Sequence, residues 1–114
     1  MKVYRKYRNK PVTLDGLRFD SKKEAARYSE LKILESCGTI KDLRLQVKFS
    51  ICPKAPGVKG SRERFYIADF VYTTIDGDKV IEDTKSDATR KDKTYRLKKQ
   101  LVQVKYPEYI FLET

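Results

Sequence analysis

Two apolar runs joined by a tight polar turn constrain this chain more than any other feature. They are "RERFYIADFVYTT" (residues 62–74) and "KVIEDTKS" (residues 79–86), separated by "IDGD". β-Branched and aromatic residues dominate both runs, as suits paired strands, and Asp-Gly between them is a strong hairpin signal. A three-residue loop, Ile75 to Gly77 with Gly77 left-handed, would pair Thr74 with Asp78. That register carries Val71 opposite Ile81 and Asp69 opposite Asp83. Asp69, Asp83 and Lys85 then share one face with Ile67 and Val71, and Glu82 points to the other. A two-residue loop would shift the register and scatter the set. Like charges facing each other across a hairpin are destabilising, so the pair of acids asks for a compensating partner.

The remaining pattern supplies a sheet and two helices. "PVTLDGLRFDS" holds an Asp15-Gly16 turn and reads as a short hairpin or extended lead-in. Ser21 followed by Glu24 matches a capping box. Ala25, Tyr28, Leu31 and Leu34 keep one face, and Cys37-Gly38 ends the run, so residues 21–37 are expected to be helical. In residues 43–52, Leu43, Leu45, Val47, Phe49 and Ile51 alternate with polar residues, the period of a half-buried strand. Leu97, Leu101 and Val104 recur at helical spacing and predict one helix over 88–104, with a last strand in "EYIFLE". The order of elements gives an α/β sandwich on a mixed sheet, with the second helix crossing over to return the final strand beside the hairpin.

Charge is concentrated. Of the net +10, residues 1–10 carry Lys2, Arg5, Lys6, Arg8 and Lys10 with no acid, and residues 87–105 carry seven basic residues against Asp87 and Asp92. The rest of the chain is balanced. Two basic segments on a neutral body suggest a polyanion footprint, most simply nucleic acid. The alternative is charge that only aids solubility. Residues 1–10 read as a basic arm ahead of one domain over 11–114. No apolar run approaches the roughly 18 residues of a membrane span, and the basic start has no apolar segment behind it, so neither a membrane role nor a secretory signal is expected.

The chain has no His, and Cys37 and Cys52 lack a metal-ligand spacing. Zinc held by His and Cys, and histidine acid–base chemistry, are therefore excluded; the cysteines read as reduced, small apolar residues. Carboxylates remain. Mg²⁺ takes one or two of them plus water and phosphate oxygens, and a lysine beside such an ion can balance phosphate charge or orient a water. Glu24 is the best third acid, because its helix must pack on the sheet. Its competing role is the capping box itself. Asp69 and Asp83/Lys85 compete with plainer readings as a solvated strand end and a salt bridge.

With these residues in view, "YIADF", "VIEDTKS" and the helix holding "SKKEAARY" resemble the PD-(D/E)XK nuclease superfamily. More closely, the chain is similar to small phage proteins of that group related to Holliday-junction resolvases. The likeness runs from about Asn9 to the C-terminus, with Ala68 where the pattern often has Pro. It implies a restriction-endonuclease-like core and a Mg²⁺-dependent endodeoxyribonuclease, with Mn²⁺ able to substitute. Glu24, Asp69 and Asp83 would hold the metal and Lys85 would serve catalysis. Gln46 matches a glutamine seen on the preceding strand. DNA would be gripped by the basic arm and by Arg90, Lys91, Lys93 and Arg96, with Tyr4, Tyr7 and Tyr95 available for stacking. Branched DNA, a homodimer and the cytoplasm of a bacterial host follow from the same likeness. A non-catalytic nucleic-acid-binding module and a phage assembly protein are the rival expectations.

Overall fold

A computed structural model describes residues 10–114. Its first hairpin pairs β1 (Val12–Leu14) with β2 (Leu17–Phe19) around Asp15 and Gly16, both with positive φ. Ser21 then caps α1 (Lys22–Ser36), its hydroxyl accepting from the Glu24 amide at 3.1 Å. The apolar stripe works as the spacing predicts. Ala25, Tyr28 and Leu31 are buried and Leu34 packs against them.

Four longer strands follow: β3 (Ile40–Cys52), β4 (Arg64–Thr74), β5 (Lys79–Asp83) and β6 (Tyr109–Glu113). They form one mixed sheet in the order β3-β4-β5-β6, with only the β5–β6 pair parallel. The crossover between β5 and β6 is the one expected, and the fold is mixed α/β with a mixed sheet flanked by helices. The hairpin register also agrees with the sequence. Val71 faces Ile81, the Gly77 amide donates to the Thr74 carbonyl at 2.9 Å, and Gly77 has φ 91°.

Two expectations need correction. Residues 88–104 do not form one helix. The segment is α2 (Asp87–Lys91) followed by α3 (Lys93–Lys105), divided at Asp92, whose ψ of 127° breaks the helical backbone while its carboxylate caps α3 by accepting from the Tyr95 amide at 3.0 Å. Nor is Leu97–Leu101–Val104 the buried stripe. Leu97 is 58% and Val104 72% exposed, and α3 instead buries Val102 with Leu101, Tyr95 and Tyr106 beside it. The break at Asp92 makes α3 a separate helix, and the side it turns to the sheet carries Val102, Leu101 and its one aromatic residue, Tyr95; three aliphatic residues at helical spacing do not reveal that.

Strand β3 alternates as the spacing predicts, and its apolar side chains divide between two cores. Leu43 and Leu45 pack with Phe70, Tyr72 and Val80 under α1. Val47, Phe49 and Ile51 pack with Tyr66, Ala68 and Val102 under α3. The side chains of β3 and β4 therefore change sides between Leu45–Phe70 and Val47–Ala68, two consecutive pairs of the register. The residues between these pairs are Gln46, with φ 52°, and Asp69. A left-handed residue in a strand re-aims its neighbours as a bulge does. Two half-cores on opposite faces of one sheet result, and the turnover lies where they meet.

Candidate functional site

At that turnover β5 parts from β4. The ladder ends at the Phe70–Glu82 pair; the expected next pair, Asp69 with Asp83, is replaced by side-chain bonds. The Asp69 amide donates to Asp83 Oδ1 at 2.9 Å, and the Thr84 amide donates to Asp69 Oδ2 at 3.0 Å. Each carboxylate thus satisfies a backbone N–H that the separated strands would otherwise leave unpaired. Lys85 Nζ lies 3.5 Å from Asp69 Oδ2 and 3.5 Å from Asp83 Oδ1. The structure therefore brings Asp69, Asp83 and Lys85 together, as the register argument requires.

Glu24 comes to the same place from the first turn of α1. It is 4% exposed, and the Gln46 side-chain amide reaches both Glu24 Oε1 at 3.3 Å and Asp69 Oδ1 at 3.4 Å. Glu24, Asp69, Lys85 and the hydroxyl-bearing Ser21, Ser86 and Thr89 line a cavity of about 260 Å³. Asp83 stands behind it. It is fully buried, it does not line the cavity, and its second oxygen accepts from the Tyr66 hydroxyl. That tyrosine is missed by sequence reasoning, because the change of faces hides which side of β4 it joins. The position of Gln46 is equally hidden: residues 53–63 between β3 and β4 are too long a connection to fix a register.

The electrostatics follow from burial. Removal from water pushes the Glu24 carboxyl up to about 7, helped by the Asp69 and Asp20 charges nearby. Burial also raises Asp69 and Asp83, opposed by Lys85 and by the backbone amides they accept from. Burial alone would lower Lys85, but the two aspartates outweigh it and hold its ammonium above the ordinary value. Three buried acids thus share one lysine. Such an arrangement is costly without further positive charge.

The donor set can be tested against a divalent cation. Among the described residues no group of three or more His, Cys, Asp or Glu side chains is placed to hold a metal ion. Three carboxylate residues line the cavity, the buried Glu24 and Asp69 and the exposed Asp20, and two suffice for an ion that keeps water and takes phosphate oxygens. The residues fit that kind of site, with Asp83 in support of Asp69.

Glu82, on the other face, has a definite job. Arg27 grips it with two donors, Nε at 2.5 Å and Nη2 at 3.0 Å, and the Tyr72 hydroxyl donates to it at 2.6 Å. Of the basic residues assigned to DNA, Lys10, Lys91, Lys93 and Arg96 are exposed. Arg90 is half-buried, and its charge acts on Glu113. Lys2, Tyr4, Arg5, Lys6, Tyr7 and Arg8 lie outside the described residues. The Tyr95 hydroxyl is committed to Glu113 at 2.7 Å, and its half-buried ring lies beside Tyr66 with Lys85 Nζ over it. Among the described residues no helix is long and apolar enough to cross a membrane.

A mixed α/β fold with a carboxylate–lysine cluster where two strands part is thus what the sequence and the structure define. The chain belongs to the family described as "protein of unknown function (DUF1064)", which it matches over residues 4–112. No curated protein and no solved structure matches it.

Proposed function

We propose that this protein is a divalent-metal-dependent DNA endonuclease of the PD-(D/E)XK type. One observation carries the reading: Asp69 from β4 and Asp83 from β5 meet a single lysine, Lys85, beside a polar cavity that Glu24 from α1 also lines. Glu24 and Asp69 would hold Mg²⁺ or Mn²⁺ from the cavity side, with Asp83 as the third acid once its carboxylate leaves Tyr66. When bound, the ion supplies a Lewis acid and a lowered water pKa. Asp83 fixes the Asp69 backbone, and Gln46 sets the spacing between the Glu24 and Asp69 carboxylates. Lys85 stays protonated between its acids, so it balances phosphate charge and orients a water rather than removing a proton. Exposed Lys91, Lys93 and Arg96 supply backbone contacts to DNA. Branched DNA as substrate, a homodimer cutting two strands, and work in a bacterial cytoplasm rest on the family resemblance.

One observation favours the rival, a nucleic-acid-binding module that does not cut: Asp83 is locked by Tyr66 and the Asp69 amide. Incubation with four-way junction, flap, supercoiled plasmid and single-stranded DNA, each with Mg²⁺, Mn²⁺ or EDTA, separates the two. Metal-dependent cleavage of at least one form is expected. Binding without cleavage under every condition would establish the rival.

A further inference from the structure

A second and larger cavity, about 520 Å³, opens on the other side of Lys85. It lies beside Phe65, Tyr66 and Ile67, on the stretch of β4 that β5 has left, and Tyr95 of α3 closes it opposite. Lys85 and Thr89 line both cavities, so the two are neighbours across one lysine. Lys85 Nζ stands 5.6 Å from the centre of the Tyr95 ring, and Lys98 lies at the rim. Phe65 is 37% and Ile67 48% exposed, large apolar groups left open to water in a strongly basic chain. The volume falls within the roughly 300–1,000 Å³ typical of pockets for small ligands. Flat apolar and aromatic walls next to lysines suit a stacked base with its phosphate, since every base has a π-face and rings stack on it without regard to sequence. A base inside a duplex cannot reach such a pocket, because it is already paired and stacked; an unpaired one leaves its stack at little cost.

We propose that this cavity receives an unpaired nucleobase of the DNA strand whose adjacent phosphodiester lies at Lys85. The pocket selects DNA with an unpaired nucleotide next to the cut, such as a flap, a mismatch or a branch point. This inference rests on the nuclease reading for its cutting step, and its test keeps the two apart. The test compares the wild type with a Phe65→Ala/Ile67→Ala variant. Both side chains are exposed, so the fold should persist, and a thermal melt checks that it does. An Ile67→Trp variant fills the pocket by an independent route. Each protein is given a plain duplex and the same duplex with one unpaired 2-aminopurine beside the cut. Binding is followed by the probe's fluorescence in Ca²⁺, and cleavage in Mg²⁺.

The wild type should change the probe's emission and prefer the unpaired substrate. Both variants should lose that emission change, and their preference should fall by about tenfold, within the range for losing base–aromatic stacking. Cleavage of the plain duplex should not change. Equal emission changes in wild type and variants, or a wild type with no preference for the unpaired substrate, would overturn the pocket while leaving the nuclease intact. A wild type that cuts nothing yet changes the probe's emission, with the change lost in the variants, would keep the pocket and end the nuclease reading.

Discussion

Glu82 and Asp83 are adjacent in sequence, both fully buried, and on opposite faces of the same strand. Their surroundings differ in one respect. Glu82 is held by two donors of the Arg27 guanidinium, whose third nitrogen pairs with the exposed Glu30, and has a tyrosine hydroxyl beside it. Asp83 shares one lysine with Asp69, and Glu24 is drawn into the same deficit. In the first arrangement the one buried acid has a cation in direct contact: Arg27 balances Glu82 and spends its remaining donor on the exposed Glu30. The second is short of positive charge and opens to a cavity. A buried acid alone therefore indicates no function. The informative feature is an excess of buried acids over their partners, next to space that a cation and a phosphate could fill.

Breaking each side tests the contrast. The largest effect is expected from Arg27→Met, which leaves Glu82 buried and unpaired; losing one partner of a buried pair costs about 3–5 kcal/mol. Chemical denaturation should show that loss. An Arg27→Met/Glu82→Leu double variant should recover much of it, and failure of the double variant to recover would remove the idea of a balanced pair. On the Asp83 face, Asp69→Asn should reduce cleavage by on the order of 10²–10³-fold, as for loss of one preorganised charged group. Binding of DNA should be kept or strengthened, because a negative charge is gone. A variant that cuts as well as the wild type would return Asp69 to a purely structural role.

Smaller effects sharpen the picture. Gln46→Ala removes the amide between Glu24 and Asp69. Loss of a supporting group of this kind typically weakens metal affinity by about tenfold or more, so the Mg²⁺ concentration for half-maximal cleavage should rise while the DNA concentration for half-maximal rate stays fixed. The smallest effect concerns Glu113, paired with Lys99 and Tyr95. Burial works to raise its carboxyl, but these donors prevail and hold it below the ordinary value. A lowered carboxylate adds stability above its unfolded value of about 4.5 and loses it as pH falls through the folded one. The melting temperature should thus decline in acid, and Lys99→Met should flatten that decline. An identical acid profile in the variant would show that the pair contributes nothing measurable.

Much of this was legible in the chain because local chemistry set it. Ser21 and the stripe Ala25–Tyr28–Leu31 define α1, and Gly77, free to take positive φ, fixes the loop that aligns Asp69, Asp83 and Lys85. Three features were not legible, for separate reasons. The change of faces at Gln46 leaves the alternation of β3 undisturbed, and periodicity reports that side chains alternate without saying which core receives them. The break at Asp92 has no Gly or Pro to announce it. Its signal was an Asp three residues before Tyr95, a second helix cap inside what reads as one helix. Tyr66 and Gln46 join the site through the long β3–β4 pairing, whose register no short turn determines.

The carboxylates of Asp69 and Asp83 do more than face a lysine. They occupy the amides exposed where β5 leaves β4, so they act as the clasp that ends the sheet. The need of those amides for partners is structural and holds whether or not the cluster does chemistry. Replacing either aspartate would therefore unfasten the end of the sheet as well as alter the cluster, so stability and any chemistry would have to be measured together.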